Sequence, residues 1–164
     1  MNVEVLNLQH VIGIDRRPLV RLGRYLMKRA HYLDKTLSWS TLAVSVADDA
    51  RISAANSAML GHDRPTDVIA VRYRTFPGDT EGPAGEIMIN AERAVEQARR
   101  IGWSPDRELA LYLAHGCDHL HGQDDSTRPH QARMRRRELR WLRDADASGL
   151  ITPIVRLRPR KRNQ

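Results

Sequence analysis

The sequence predicts a single domain of the mixed α/β (α+β) class, with a small mixed four-stranded sheet packed against about five helices. Strand-like apolar segments alternate with amphipathic helical segments in the first two thirds of the chain, and helices follow one another in the last third. The length of 164 residues is typical of one domain with one core. We place this domain at residues 1–150 and treat 151–164 as a basic C-terminal tail.

The four strands are predicted from short apolar or β-branched segments. They cover residues 3–8 (VEVLNL), 38–47 (SWSTLAVSVA), 67–73 (DVIAVRY) and 85–90 (GEIMIN). The Gly- and Pro-rich segment at 77–85 predicts a turn between the last two strands.

The helices are predicted from apolar periodicity and from residues that start helices. Leucines at helical spacing predict a first helix within 17–33, and two further helices are expected at 49–59 and 91–101. Ser104 and Pro105 are typical of a helix start, so a fourth helix is expected over 105–121. The last helix is predicted over 128–144.

Composition narrows the class of partner. The chain has 27 basic and 20 acidic residues, for a net charge of +7, and this excess favours a polyanion such as nucleic acid. Aromatic residues make up only 5%, so base stacking is not expected to dominate recognition. The single cysteine, Cys117, excludes an intramolecular disulfide and predicts no disulfide-linked partner. We expect a cytoplasmic protein with no membrane partner, because the chain has no long apolar segment and no signal-peptide pattern.

A cluster of histidines predicts a metal site. His115 and His119 are four residues apart on a predicted helix, so both imidazoles can reach one ion. An HxxxH pair is common without a metal, but Gly122 can end the helix and return Asp124 or Asp125 to the histidine face, with His130 as an alternative ligand. Two histidines and a carboxylate are typical of a catalytic zinc site with an open position. His121 lies about 200° around the helix from His119 and is expected to face solvent or RNA.

Three separated motifs resemble the YbeY family of metal-dependent endoribonucleases and rRNA maturation factors. The segment HGCDHLHGQDD at 115–125 is similar to the family signature HGxLHLxGYDH. The segment DRPTDVIAV at 63–71, preceded by Asn56, resembles the family's DxPTDVLSF block, and GEIMI at 85–89 resembles its GDIxI strand. Met134 and Glu138 match a Met and Glu pair common in the family's next helix. The resemblance covers about residues 40–140.

The resemblance implies a function and a site. It implies a single-strand-specific, zinc-dependent endoribonuclease in rRNA maturation and ribosome quality control, with a metal-bound water as the attacking group. The partners implied are ribosomal RNA and the small ribosomal subunit. Asp125 stands where the family has its third histidine, so the implied ligands of one zinc ion per chain are His115, His119 and Asp125. Other divalent transition metals can occupy such ligands.

Two departures from the family pattern affect this interpretation. Leu60 replaces an arginine thought to serve the family's RNA chemistry, which favours the alternative of a non-catalytic assembly factor that keeps the fold and the basic surface. Asp118 replaces a leucine and is expected either to support a ligand histidine or to be exposed. Other arginines could supply the phosphate contact in place of the missing one, and the candidates are Arg64, Arg72, Arg128 and Arg136.

Overall fold

The computed structural model describes residues 1–73, 75, 82–151 and 153–156, and only the backbone of Leu60. The described residues form six strands: β1 (Asn2–Asn7), β2 (Gly13–Ile14), β3 (Thr41–Ala47), β4 (Val68–Tyr73), β5 (Ala84–Asn90) and β6 (Val155–Arg156). They form five helices: α1 (Arg16–Ala30), α2 (Asp49–Leu60), α3 (Ala91–Ile101), α4 (Pro105–Leu120) and α5 (Arg128–Ala147). Most of the predicted turn at 77–85 and most of the basic tail lie outside the described residues.

Each helix begins after a residue whose side chain caps it. In every case the capping oxygen accepts a hydrogen bond from a backbone N–H of the first turn, which would otherwise have no partner. The capping residues are Asp15, Asp48, Asn90, Ser104 and Thr127. These local signals explain why the predicted helix starts are accurate to within about a residue.

The main sheet has four strands in the order β1-β3-β5-β4. β1, β3 and β5 are parallel neighbours, whereas β4 pairs with β5 in the antiparallel direction. The prediction of a small mixed four-stranded sheet with five helices is therefore confirmed. The sequence did not predict the short antiparallel pair of β2 and β6, which joins the start of α1 to the end of the described chain.

The two faces of the sheet are covered unequally. The main core lies on one face, where α1 and α4 pack against the strands and α5 packs on α4. A smaller cluster on the other face contains Ile52 of α2 with Ala47 and Ile69. Adjacent β5 residues divide between the clusters, with Ile87 and Ile89 in the main core and Met88 against the smaller one. Among the described residues, no helix combines the length and the apolar character needed to cross a bilayer.

Candidate metal centre

The position of α4 is set by a close approach to the sheet. A Cβ atom on Gly116 would lie 2.6 Å from Cγ2 of Ile87, so only glycine lets the helix lie this near β5. This contact determines how close the last two turns of α4 lie to β5 and which side of the helix faces the sheet. His115, which precedes Gly116, and His119, one turn later, consequently lie on the side of α4 that faces α5 and the following loop.

A glycine turn brings the third polar group back to the histidines. Gly122 has a φ of 77°, a left-handed conformation that ends α4 and reverses the chain. The carboxylate of Asp125 then lies 3.5 Å from Nε2 of His115 and 3.9 Å from Nε2 of His119. Ligand atoms from these three residues all lie within 4.8 Å of one another, and the described residues contain no second group of this kind.

The outer nitrogens of both imidazoles are held by oxygen acceptors. Nδ1 of His115 lies 2.7 Å from Oε1 of Glu138, a residue of α5 that is only 2% exposed. Nδ1 of His119 lies 3.0 Å from the carbonyl oxygen of Gln123. These contacts place the ring protons on Nδ1 in the neutral tautomers and leave a lone pair on each Nε2.

The lone pairs on Nε2 of His115 and Nε2 of His119 face each other and can coordinate one cation. The two Nε2 atoms are 3.0 Å apart, a distance at which two lone pairs repel unless positive charge lies against them. In a tetrahedral zinc site with bonds of about 2.0–2.1 Å, neighbouring ligand atoms are about 3.3 Å apart. The observed separations of 3.0, 3.5 and 3.9 Å bracket that value, so His115, His119 and Asp125 could hold a divalent metal.

The two histidines have different proton affinities. Burial lowers the pKa of His115, but the hydrogen bond to Glu138 and its negative charge raise it by more, so the net shift is upward. Burial and the neighbouring His115 lower the pKa of His119. Of the two imidazoles, His115 therefore has the greater affinity for a second ring proton, and that proton competes with a metal for Nε2.

Two of the other predicted polar residues have structural partners. His130 lies 3.4 Å from Asp124 through Nδ1 and is not part of the three-residue group. Asp118 is completely buried, so the prediction that it is exposed is wrong, and among the described residues its carboxylate accepts hydrogen bonds from Arg137 rather than from a ligand histidine.

The prediction that His121 faces solvent or RNA is also wrong. Its side chain is buried, donates from Nδ1 to the carbonyl oxygen of Cys117, and accepts at Nε2 from the indole N–H of Trp39. The angle of about 200° correctly predicted that His121 points away from His115 and His119. It could not show that Trp39, from the segment before β3, would cover that side of the helix.

A cavity of about 690 Å³ adjoins the histidines and lies between α3, α4 and α5. His115, Asp125 and Glu138 line it, together with three arginines: Arg93, Arg100 and Arg135. The four arginines predicted to contact phosphate are exposed, and none of them is among the described residues that line this cavity. Sequence reasoning missed Arg93 and Arg100, although their spacing with Gln97 at i, i+4 and i+7 marks one face of α3.

A model of the endoribonuclease YbeY family matches residues 4–146 of the chain. The chain belongs to this family. A relative from Micrococcus luteus with the name Endoribonuclease YbeY is 34% identical over 156 residues, which are 92% of this chain and 93% of the relative. Another with that name, from Thermoanaerobacter sp. (strain X514), is 30% identical over 151 residues, covering 84% of this chain and 93% of the relative.

A solved structure supports the fold independently. A protein of Thermotoga maritima, determined in solution, is 21% identical, covers 98% of this chain and 99% of its own, and superposes with a TM-score of 0.59. The family model and the two relatives confirm the resemblance drawn from the three sequence motifs. Leu60, where the family resemblance implies an arginine, is the last residue of α2, and its side chain lies outside the described part of the chain.

Proposed function

We propose that the chain is a metal-dependent endoribonuclease that cleaves single-stranded RNA during rRNA maturation and ribosome quality control in the cytoplasm. The observation that carries the proposal is the group of His115, His119 and Asp125 beside a cavity that arginines line together with acidic residues, in a chain of the YbeY family. The substrate is ribosomal RNA, presented on the small ribosomal subunit.

The metal in this proposal is zinc, held by His115, His119 and Asp125. Two imidazoles favour zinc over magnesium or calcium, and a carboxylate oxygen completes a three-ligand set that leaves one position open. When bound, the ion supplies positive charge to a phosphodiester oxygen and lowers the pKa of a coordinated water.

The residues of the chain have separable roles in this reaction. Glu138 holds the ring of His115 through the 2.7 Å contact, and the Gln123 carbonyl does the same for His119, so that both Nε2 atoms face one point. The cavity arginines hold the RNA backbone beside that point. Water adds across one phosphorus–oxygen bond, so one fragment leaves with a terminal phosphate and the other with a hydroxyl.

Single-strand selectivity follows from the shape of the site. The reacting groups line a cavity between three helices, so a substrate has to bend its backbone and turn a nucleotide toward it. A single strand does this readily, whereas in a duplex the bases are paired and stacked. The small share of aromatic residues agrees with recognition through the backbone rather than by stacking.

The experiment that tests the proposed function combines metal content with cleavage. Tag-free protein prepared without chelators is expected to contain about one zinc per chain by elemental mass spectrometry and to cleave a labelled single-stranded RNA faster than the same sequence in a duplex. A chelator should abolish cleavage, and added zinc should restore it. His115→Ala should neither bind the metal nor cleave. RNA binding without cleavage by the zinc-loaded wild type would instead identify a non-catalytic assembly factor.

The salt dependence of RNA binding tests the predicted phosphate contacts. For single strands, the logarithm of the binding constant should fall with the logarithm of the salt concentration by about 0.7 for each phosphate contact. Alanine at Arg64, Arg72, Arg128 or Arg136 should therefore make the slope shallower by about 0.7 wherever that residue contacts phosphate. Arg21→Ala, an exposed site on α1, serves as the control. Wild-type binding that is independent of salt would contradict a phosphate interface.

A further inference from the structure

The cavity beside the histidines contains a buried carboxylate that the proposed cleavage reaction does not use. Glu108, in the first turn of α4, lines the cavity and is only 2% exposed. Its Oε2 atom is buried and has no hydrogen-bond partner among the described residues. A buried carboxylate oxygen without a partner is costly, and such groups are rare in folded proteins. The oxygen has almost no solvent-accessible surface, so a ligand in the cavity reaches it, and removes this cost, only when the Glu108 side chain rotates toward the cavity.

The surroundings of Glu108 favour a polar, hydrogen-bonding ligand. Burial raises the pKa of its carboxyl group, and this outweighs the opposing effects of Arg135 and of a hydrogen bond with Tyr112. Tyr112 also lines the cavity and is itself almost buried, so the floor of the cavity offers a carboxyl, a phenol and an aromatic edge. A cavity of about 690 Å³ is within the usual range of roughly 300–1,000 Å³ for small-ligand sites.

The same cavity also contains groups that can bind the phosphate of a nucleotide. Three cationic side chains, Arg93, Arg100 and Arg135, line it, and guanidinium groups bind phosphate oxygens. His115 and Asp125 line it as well, so two of the proposed metal ligands and Glu108 border one continuous cavity. A nucleotide whose phosphate contacts the arginines and metal ligands can therefore extend its base toward Glu108.

We propose that this cavity binds the base of one nucleotide next to the cleaved phosphodiester, and that Oε2 of Glu108 accepts a hydrogen bond from an amino group of that base. The inference rests on the proposed function, because it names a specificity subsite of the same centre. Guanine, adenine and cytosine each have an exocyclic amino group. Uracil has no amino group, and its one ring N–H, at N3, is flanked by two carbonyl oxygens that would face the carboxyl. The subsite therefore disfavours uracil, and the loss of one hydrogen bond corresponds to a discrimination of about tenfold.

Equilibrium binding tests the subsite without relying on catalysis. The full chain, freed of metal so that it does not cleave, is titrated with a fluorescent uridine heptamer and with heptamers that carry one guanosine at each position in turn. At least one guanosine heptamer is expected to bind about tenfold more tightly than the uridine heptamer. In Glu108→Gln the preference should disappear, because the glutamine amide can donate to uracil as well as accept from guanine. Equal binding of all heptamers by the wild type would overturn the proposal.

Glu96→Gln is the matched control. Glu96 lines the same cavity from α3 but is exposed, so the substitution makes the same change in charge without altering the buried oxygen. This variant should keep the preference for guanosine. Loss of the preference in both variants would assign it to the net charge of the cavity and overturn the role of Glu108.

A change in the ligand provides a test that does not depend on the folding of a variant. Replacing the favoured guanosine with inosine removes only the amino group, and the tenfold advantage over uridine should be lost in the wild-type protein. Unchanged binding of the inosine heptamer would overturn the proposal. Zinc-loaded protein then separates the two hypotheses: cleavage without base preference contradicts the subsite alone, whereas preference without cleavage contradicts the nuclease function alone.

Discussion

Asp125→Ala is expected to lose the bound metal and to reduce RNA cleavage on the order of 10³-fold. The carboxylate of Asp125 is the third donor of the group, 3.5 and 3.9 Å from the two Nε2 atoms, and the remaining two imidazoles cannot form a three-ligand site. Elemental mass spectrometry of the purified variant measures the metal, and the rate of cleavage of a labelled single-stranded RNA measures the activity.

Asp124→Ala is the control for this experiment. Asp124 is the preceding residue and has the same charge, but it contacts Ser126 and His130 and is not in the three-residue group. It should retain metal and activity. Asp125→His should also retain metal, because a third imidazole replaces the oxygen donor. A full equivalent of metal in Asp125→Ala would show that the third ligand has been assigned wrongly.

Arg137→Ala is expected to lower the free energy of unfolding by roughly 3 kcal/mol. Nε and Nη2 of Arg137 donate to the two oxygens of Asp118 at 3.0 and 2.8 Å, and Asp118 has no exposure to solvent. Removal of the guanidinium leaves a buried carboxylate without its charge partner. Urea denaturation at pH 7.5 measures the effect, since burial raises the pKa of Asp118 to about 6 and the group is then ionised.

The effect should depend on pH in a defined direction. The pKa of Asp118 is raised in the folded state, so its protonated form is the one that folding favours, and this contribution is lost as the pH rises through about 6. Well below pH 6 the carboxyl is neutral, and Arg137→Ala should cost less than at pH 7.5. An equal loss of stability at pH 5 and pH 7.5 would show that the charge of Asp118 is not the cause.

Two further variants separate the ion pair from general effects of substitution on α5. Arg136→Ala changes an exposed neighbour and should alter stability by no more than about 0.5 kcal/mol. The double variant with leucine at both Asp118 and Arg137 should recover most of the stability lost in Arg137→Ala, because apolar residues can replace a buried ion pair at little cost. Equal losses in the single and double variants would contradict this account. Arg137 also donates to Oε1 of Gln123, so its loss loosens the loop that carries Asp125.

Much of the fold could be predicted because its signals are local. Asp48 and Ser104 cap helices within three residues of their own positions, and Gly122 ends α4 through its own backbone conformation. Alternating burial along β5 assigns its residues to the two faces of the sheet. The short β2 and β6 pair was missed because its partners lie more than 140 residues apart and each strand has only two residues.

The sequence by itself indicated His115 and His119 as candidate ligands, because they are one helical turn apart, and it left the third ligand among Asp124, Asp125 and His130 until the family resemblance selected Asp125. Only the tertiary structure decided what surrounds those ligands. The contact of Glu138 with His115, the ion pair of Asp118 with Arg137 and the bond of His121 with Trp39 all join different elements of the chain. Helical periodicity gives the direction in which a side chain leaves its own helix. The element that packs there, and hence whether a polar group is exposed, paired or left without a partner like Oε2 of Glu108, depends on how the helices assemble on the sheet.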